Sequence, residues 1–422
     1  PGVYAAVTRA GAIAYGTGVG SADLDRPDEP PTAHTRYQIA SITKTFTAVL
    51  VMALRDEGKL TLDDSIEQHV PQSKHTRVTI RQMLSHATGM QREPVGDVWD
   101  TLEPVAQEDL VPGWNQAERV LEPHDRFHYS NLVFSMLGEI VARIDGRTWE
   151  DSLRARILNP LGMRDTSLAN TETDARPYYV PPFTDVPVAE PTLDIAALAP
   201  AGGLRSTATD LATWLDFLAN PAEDILSADT VEEMCRPHTI SDAEHWQAAW
   251  GLGLMLVRHE GHLFVGHPGG MPGQVTCALV DRKTATGGVV LLNATSVPDP
   301  VTFAAGIAAY AMEHEPVERE VWRPGTSLPQ ELTGVLGRWY AEGSGHDFSV
   351  RRGRLEARAD GAPSDLPPSV FERIESDLYR TRSGRESGEL LRISRYPDGS
   401  VSHLNWATYR FTREPLPFGG WL

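Results

Sequence analysis

The spacing of apolar residues changes near Trp250, and this change limits the possible fold more than any other feature. Upstream, apolar residues recur at helical spacing, as in residues 46–57, after which Gly58 predicts the end of a helix. Downstream, apolar and polar residues alternate in short runs, a pattern that predicts β-strands. The chain therefore combines a largely helical region with an antiparallel meander of strands.

Further elements follow from the same two periods. The apolar runs on either side of residues 9–11 predict a hairpin over residues 3–19. Helices are predicted at residues 79–86, 131–144, 149–158, 207–218 and 301–312, and strands at residues 251–257, 262–265, 275–280 and 288–292. Residues 172–200 form a long, proline-rich loop, and loops of this length in a compact domain are usually functional.

The last part of the chain differs in composition from the rest. From Glu331 onward it contains no lysine and shows short β-like runs separated by Gly, Pro and Asp. The stretch before it is charged and contains proline, which is typical of a linker. We therefore expect a catalytic domain over residues 1–315, a linker over residues 316–330 and a β domain over residues 331–422.

Composition excludes several classes of function. The formal net charge of −19 argues against general nucleic-acid binding, because phosphate binding requires a positive surface. Cys235 and Cys277 are too few for a disulfide framework, and no Cys/His ligand spacing occurs, so no metal and no cofactor is expected. No apolar run approaches the ~20 residues of a membrane span. Whether the two cysteines pair is left open.

The clearest chemical signal is an S-x-x-K motif, Ser41 to Lys44, at the start of the helix predicted near residue 46. Three residues are about one helical turn, so the lysine amine and the serine hydroxyl share a face. A serine hydroxyl is a weak nucleophile until a base removes its proton, and a desolvated lysine with a lowered pKa can do so.

Two further motifs carry polar groups suited to the same chemistry. Tyr129 and Asn131 precede an apolar helix, where a phenol near an ammonium group can be held partly ionised and an amide can orient a substrate. Residues 267–270, His-Pro-Gly-Gly, follow the strand predicted at 262–265, and glycines there allow close approach of a substrate backbone. Taken alone, each motif is equally explained as a helix cap or a turn.

In this order, S-x-x-K, Y-x-N and H-x-G resemble the penicillin-binding protein and class C β-lactamase-like serine hydrolases. Family-like phrases support the resemblance at residues 84–90, 161–163 and 202–204, and it spans residues 3–312. The resemblance implies an α+β fold. Its antiparallel sheet would be flanked by helices, and a helical subdomain would carry Tyr129.

The resemblance also implies roles for individual residues. Ser41 would be the acylated nucleophile, Lys44 its general base, and Tyr129 a group that assists proton transfer to and from the leaving or attacking group. A Ser–Lys–Tyr set of this kind implies an acyl-enzyme mechanism.

The remaining implied roles concern substrate binding. Asn131 would contact the substrate amide, His267 would line the site and position the tyrosine, and Gly269 would lie beside the substrate. Gly270 would complete an oxyanion hole together with the backbone N–H of the nucleophile.

Residues 267 and 268 depart from the family pattern. His267 stands where related enzymes often carry lysine, and Pro268 replaces a hydroxyl residue. Both changes put a dedicated β-lactamase role in doubt. Family members with H-x-G are commonly esterases, D-peptidases or amidases.

The C-terminal part is similar to the small lipocalin-like β-barrel that follows this catalytic domain in some members. Gly337, Trp339 and residues 403–411 carry that similarity. The combination occurs in many uncharacterised actinobacterial serine hydrolases. It also occurs in the penicillin-binding-protein-type thioesterases that release nonribosomal peptides as macrocycles.

Strand alternation in this part suggests two candidate substrate contacts. Arg410 would share a face with Leu404 and Trp406, and Arg395 would share one with Ile393, so either guanidinium could bind a carboxylate. Alternatively both lie at strand ends and reach solvent. A tight turn at residues 397–400 would place them near opposite ends of the ribbon.

We expect a metal-free thioesterase that transfers a peptidyl thioester ending in a D-residue to Ser41 and releases it by macrocyclisation. The alternative is an esterase, D-aminopeptidase or D-Ala-D-Ala carboxypeptidase-like hydrolase. A non-catalytic binding protein is disfavoured by the intact Ser41, Lys44 and Tyr129.

The expected partners follow from that reading. They are a peptide or peptidyl-thioester substrate, free or held by a carrier protein, without nucleic acid or a membrane span, and a monomer is favoured. A biosynthetic role favours the cytoplasm, whereas a signal peptide before Pro1 would imply a secreted or periplasm-facing protein.

Overall fold

A computed structural model describes residues 1–295, 299–316, 327–363, 366–417 and 420. The chain divides into two compact units, residues 1–317 and 318–422. The linker expected at residues 316–330 falls largely on residues 317–326, which lie outside the described residues. The two units are taken in turn.

The centre of the first unit is an eight-stranded antiparallel sheet. The strands of this unit are β1 (Val3–Arg9), β2 (Ala12–Val19), β3 (Tyr37–Gln38), β4 (Tyr178–Tyr179), β5 (Val188–Ala189), β6 (Arg205–Ser206), β7 (Thr239–Ile240), β8 (Ala248–Trp250), β9 (Met255–His259), β10 (His262–Met271), β11 (Gln274–Asp281) and β12 (Thr286–Leu292). The sheet order is β2-β1-β12-β11-β10-β9-β8-β7, and β3–β6 and β4–β5 form separate two-stranded ladders. The first strand therefore pairs beside the last, with Val3 opposite Leu292.

Helices cover both faces of this sheet. They are α1 (Thr43–Asp56), α2 (Ile66–His69), α3 (Ile80–Leu84), α4 (Val98–Thr101), α5 (Gln107–Gln116), α6 (Asn131–Asp145), α7 (Trp149–Leu153), α8 (Asn159–Leu161), α9 (Ala199–Gly202), α10 (Ala208–Ala219), α11 (Ala228–Met234) and α12 (Pro300–His314). Successive residues of β12 point to opposite faces of the sheet. Leu291 belongs to the hydrophobic cluster that includes α1 and α10, whereas Val290 belongs to the cluster that includes α12. Both faces are therefore buried, and β12 reads as a continuous apolar run.

Most of the predicted elements of this unit are confirmed. The hairpin β1–β2 and the helices α1, α6, α10 and α12 lie where apolar periodicity places them. The helix predicted at residues 149–158 is present, but residues 154–158 form a π-helical turn between α7 and α8. The helices α5 and α11 were not predicted. In the described part of the chain, no helix has the length and apolar character of a membrane span.

Two strand predictions are wrong in detail. Residues 251–254 form a turn between β8 and β9 rather than the start of a strand, because Gly253 has a φ of +78° and donates to the Leu84 carbonyl. The strand predicted at residues 262–265 continues to Met271 as β10. The His-Pro-Gly-Gly motif is therefore part of the sheet and not a turn after it.

The second unit is a nearly closed eight-stranded barrel. Its strands are β13 (Gly337–Ala341), β14 (Ser344–Arg351), β15 (Arg354–Ala359), β16 (Ser369–Glu375), β17 (Leu378–Thr381), β18 (Leu390–Arg395), β19 (Val401–Trp406) and β20 (Tyr409–Phe411). Each strand pairs antiparallel with the next, and a bridge between Tyr340 and Thr412 joins the first strand to the last. Trp339, Phe348 and Trp406 are central to its separate core. The expected C-terminal β-barrel is confirmed.

The predicted alternation of residues 404–410 is wrong. The chain turns after β19 at Ala407, whose φ is +56°, and β20 returns with Phe411 opposite Leu404. Phe411 is therefore the inward residue, whereas Arg410 lies opposite Asn405 and is half-buried. The turn reverses the chain, so the alternation of side chains between the two faces of β19 does not continue in register into β20.

Candidate active site

Ser41 lies in a short 3₁₀ turn, Ala40–Ile42, that leads directly into α1. The turn is anchored on both sides, because the Ile39 N–H donates to the Leu204 carbonyl and Thr276 Oγ1 donates to the Ile39 carbonyl. Ala40 adopts a φ of +49°, a conformation unusual for a residue with a Cβ. The surrounding structure therefore fixes the nucleophile at a constrained turn beside the sheet.

Lys44 is fully buried one turn along α1, with Nζ 3.2 Å from Ser41 Oγ. Nζ also donates to Asn131 Oδ1 at 2.7 Å and to the Ala201 carbonyl at 2.5 Å. Burial lowers its pKa well below the usual value, although the nearby charge of Glu93 opposes this shift. The amine therefore contacts three oxygens, and in its deprotonated form it can accept the proton of Ser41 Oγ.

Tyr129 is half-buried beside this pair, and Lys44 Nζ lies 4.9 Å from the centroid of its ring. Burial raises its pKa above the usual value, even though the Ser41 side chain and the charge of Arg92 act in the opposite direction. Burial therefore opposes the partial ionisation of the phenol that the sequence suggested, and that ionisation stays a prediction. The phenol can instead donate a proton.

Asn131 is the first residue of α6, and both ends of its amide are occupied. Oδ1 accepts from Lys44, and Nδ2 donates to Glu93 Oε1 at 2.7 Å. These bonds orient the lysine amine toward Ser41. The predicted contact between Asn131 and a substrate amide stays a prediction.

Sequence analysis did not identify Glu93. Its segment is held against the start of α6, because the Asn131 N–H donates to the Arg92 carbonyl and Ser130 Oγ donates to the Gln91 carbonyl. A single acidic residue has no distinctive spacing from S-x-x-K or Y-x-N. Only the fold brings this carboxylate to the amide of Asn131.

His267 and the two glycines lie on β10. His267 is buried, and its Nδ1 lies 2.5 Å from the Pro268 carbonyl, so Nδ1 carries the hydrogen. Burial, reinforced by the nearby charge of Lys44, lowers its pKa to about 3, so the ring is neutral. A Cβ at Gly269 would overlap the Ile39 carbonyl, whereas Gly270 faces open space. The strand can therefore approach the nucleophile's turn only with glycine at residue 269.

Most of these residues line one cavity of about 830 Å³. Apart from Lys44, which lies behind Ser41, all the residues predicted for the site in this unit line it. Its apolar wall contains Trp99, Phe127, Trp250, Met255 and Met271. This volume is at the upper end of small-molecule sites. The arrangement suits attack by Ser41 on the carbonyl of a large, largely apolar acyl group.

The two candidate arginines lie in the barrel. Arg395 pairs with Asp377 at 2.7 Å, and it also donates to the carbonyls of Gly399 and Glu331. The ladder places Arg395 opposite Val401 next to the hairpin turn and Arg410 on the last strand. Their contact with substrate stays a prediction. Among the residues that the structure describes, no group of three His, Cys, Asp or Glu side chains is arranged to hold a metal ion.

Comparison with known families identifies the family of the catalytic unit. Residues 1–312 match the family model described as Beta-lactamase. The chain belongs to the β-lactamase family. In this β-lactamase-family protein the barrel, residues 328–413, matches a domain of unknown function, DUF7586.

Individual relatives are distant. Protein flp of Staphylococcus aureus (strain MW2) is 26% identical over 309 residues, which are 70% of this chain and 60% of flp, so the chain spans about 60% of that relative's length. A structure of SurE with D-Leu is 26% identical with a TM-score of 0.58, covering 98% of this chain and 95% of SurE. The D-amino acid amidase of Ochrobactrum anthropi SV3, complexed with D-phenylalanine, is 25% identical with a TM-score of 0.58 over 69% of this chain and 86% of the amidase.

Proposed function

We propose that this protein is an acyl-enzyme thioesterase that takes a peptidyl thioester with a C-terminal D-residue and releases it as a macrocycle. The observation that carries the acyl-enzyme step is the buried Lys44 amine, with its lowered pKa, 3.2 Å from Ser41 Oγ. That amine is a base in position, and burial is the main cause of its lowered pKa.

The first half-reaction acylates the serine. Ser41 Oγ attacks the thioester carbonyl while its proton passes to Lys44 Nζ, and the carbon–sulfur bond then breaks. The departing thiolate takes a proton from the phenol of Tyr129, which Lys44 reprotonates. The products are a peptidyl ester on Ser41 and a free thiol, with both catalytic side chains returned to their starting protonation.

The second half-reaction releases the peptide. The peptide's own amine attacks the Ser41 ester and Lys44 accepts a proton from it. The carbon–oxygen bond to Ser41 then breaks as Lys44 passes that proton to Ser41 Oγ. A new amide closes the ring. Water in place of the amine would yield the linear acid by the same steps, so access of water to the ester determines the product.

Two relatives support a D-configured acyl group. SurE was crystallised with D-Leu and the amidase with D-phenylalanine, and SurE is similar to this chain over both of its units. The apolar wall at Trp99, Phe127 and Trp250 offers contact area for the side chain of such a residue. The tandem of catalytic domain and barrel also resembles the architecture of the macrocyclising thioesterases.

A second candidate is hydrolysis of D-amino acid amides, esters or D-Ala-D-Ala peptides. Similarity to the D-amino acid amidase favours it. The two candidates share the acyl-enzyme and differ only in the nucleophile that resolves it.

Mass spectrometry of products from a linear peptide thioester separates these candidates. Two substrates that differ only in the chirality of the C-terminal residue are compared, with Ser41→Ala as the control. A product lighter than the linear acid by one water, formed from the D-substrate and absent with Ser41→Ala, is the expected result. Linear acid alone would identify a hydrolase. Failure to accept any peptidyl thioester would remove the thioesterase proposal.

A further inference from the structure

We propose that Glu93 forms a subsite for a primary ammonium group inside the Ser41 cavity. This proposal deepens the proposed function and rests on it for the acyl-enzyme, because the ammonium would belong to the acyl donor or to the acceptor. Glu93 lines the same cavity as Ser41, yet no step of the acyl transfer derived above uses its carboxylate.

The hydrogen bonds of Glu93 leave one oxygen unused. Oε1 accepts from Asn131 Nδ2 at 2.7 Å and from Arg92 Nε at 3.3 Å. Oε2 is buried, and within the described residues it has no hydrogen-bond partner. A buried carboxylate oxygen without a donor is unfavourable, and a ligand N–H group would satisfy it.

The charges around the cavity favour a cation at this position. Burial lowers the pKa of both Lys44 and His267, which weakens their repulsion of an ammonium group. Arg92 is the charged neighbour, but its side chain is 62% exposed, so its charge is screened by solvent. Trp99 and Phe127 line the same cavity and offer ring faces of the kind that attract cations.

Asn131 fixes where the ammonium would lie relative to the reaction. One end of its amide binds Lys44 beside Ser41, and the other end binds Glu93. An amine at Glu93 is therefore separated from the base by one side-chain amide. This is the position of an amine close to the reacting carbonyl, as in an unblocked α-amino acid donor or an incoming amine acceptor.

Protection of Ser41 from a fluorophosphonate probe tests the subsite without requiring turnover. The competing ligands are D-phenylalaninamide and N-acetyl-D-phenylalaninamide, which differ in the charged amine. We expect the free amine to protect the wild type at least tenfold better, and Glu93→Gln to lower that ratio toward one. Glu122→Gln, which neutralises an exposed carboxylate, should keep the wild-type ratio.

Because the ratio compares protection by the two ligands in the same variant, any change in the reactivity of Ser41 itself cancels. Glu93→Asp keeps the charge on a shorter side chain and should retain part of the preference for the free amine. It also provides a second test of the subsite if Glu93→Gln fails to fold. Equal protection by the two ligands in the wild type, or an unchanged ratio in Glu93→Gln, would overturn the subsite. Either result is independent of whether peptidyl thioesters are accepted, so failure of the proposed function is seen separately.

The source of the ammonium is resolved by two substrates. If it belongs to the donor, Glu93→Gln should raise the KM of D-phenylalanine ethyl ester at least tenfold and leave that of its N-acetyl derivative within twofold. If it belongs to the acceptor, Glu93→Gln should instead lower the ratio of aminolysis to hydrolysis when an N-acetyl ester reacts in the presence of D-phenylalaninamide. Equal losses for blocked and unblocked esters, with an unchanged product ratio, would make Glu93 only a positioning residue for Asn131 and would refute the proposal.

Discussion

At the scale of single residues, burial decides the protonation of the groups at the centre of the site. Lys44 and His267 have lowered pKa values, and Tyr129 has a raised pKa, with burial as the largest cause in each case. These shifts favour the uncharged form of each side chain. The sequence shows which residue types are present but not how deeply each is buried, so it cannot give these states.

The protonation of Lys44 predicts the pH dependence of Ser41 acylation. The base must be neutral, so the acylation rate should fall about tenfold per pH unit below the lowered pKa of Lys44, well under the usual lysine range. Because the pKa of Tyr129 is raised, no loss is expected up to pH 10. Fluorophosphonate labelling across pH measures the profile.

Lys44→Arg is the matched variant for this profile, because arginine keeps a long cationic side chain that cannot be deprotonated in the accessible range. It should label at least a hundredfold more slowly, with no acid limb. A wild-type acid limb centred at the ordinary pKa of lysine would contradict the lowered pKa of Lys44.

At the scale of elements, α6 and the segment around α9 are fitted together to supply the partners of Lys44. A Cβ at Gly138 of α6 would overlap the ring of Pro200. The Pro200 carbonyl accepts from Thr47 of α1, and the next carbonyl, that of Ala201, accepts from Lys44. The close approach of α6 at this glycine therefore positions one acceptor of the catalytic amine.

Gly138→Ala tests this packing, with Gly113→Ala as the matched helical control. A Cβ at Gly113 of α5 meets no atom within 4 Å, so alanine there should stabilise the protein by up to about 1 kcal/mol through helix propensity. Gly138→Ala should instead destabilise it by about 1–3 kcal/mol and slow Ser41 labelling at least tenfold. Chemical denaturation and labelling rates measure both. Equal stabilisation by the two variants would show that Pro200 moves without consequence.

Element prediction succeeded where one period continued and failed where a turn interrupted it. The helices α1 and α6 keep a helical period throughout and were predicted within a few residues. The turn at Ala407 is not marked by Gly, Pro or Asn, so residues 404–411 read as one strand. The error at residues 251–254 has a different cause, since Gly253 meets the Leu84 carbonyl, a contact distant in sequence.

At the scale of the whole molecule, two hydrophobic cores share no residue. One is formed by the sheet and helices of the first unit, and the other lies inside the barrel around Trp339. The Trp339 ring is fully buried, its Nε1 donates to the Val335 carbonyl, and the Arg413 guanidinium lies 3.9 Å from the ring centroid. Each unit therefore has the packing of an independent folding unit.

Trp339→Ala should affect one core only. Loss of this ring should destabilise the barrel by about 3–5 kcal/mol, while Ser41 labelling continues at temperatures where the barrel has unfolded. Limited proteolysis during heating measures unfolding of the barrel, and Ser41 labelling measures how much of the first unit remains folded. Trp246→Ala, at an exposed tryptophan, is the control and should leave both transitions within about 0.5 kcal/mol. Simultaneous loss of both signals in Trp339→Ala would show one cooperative unit.

The sequence by itself determined the family, the α+β architecture, the terminal barrel and a site around Ser41, Lys44, Tyr129 and His267. The elements follow from the apolar period, and the family, fold and barrel follow from the resemblance that the short motifs carry. The tertiary structure alone decided the lowered pKa of Lys44, the occupied amide of Asn131 and the place of Glu93. Each depends on burial or on contacts between residues far apart in the chain, and no local pattern encodes those distances.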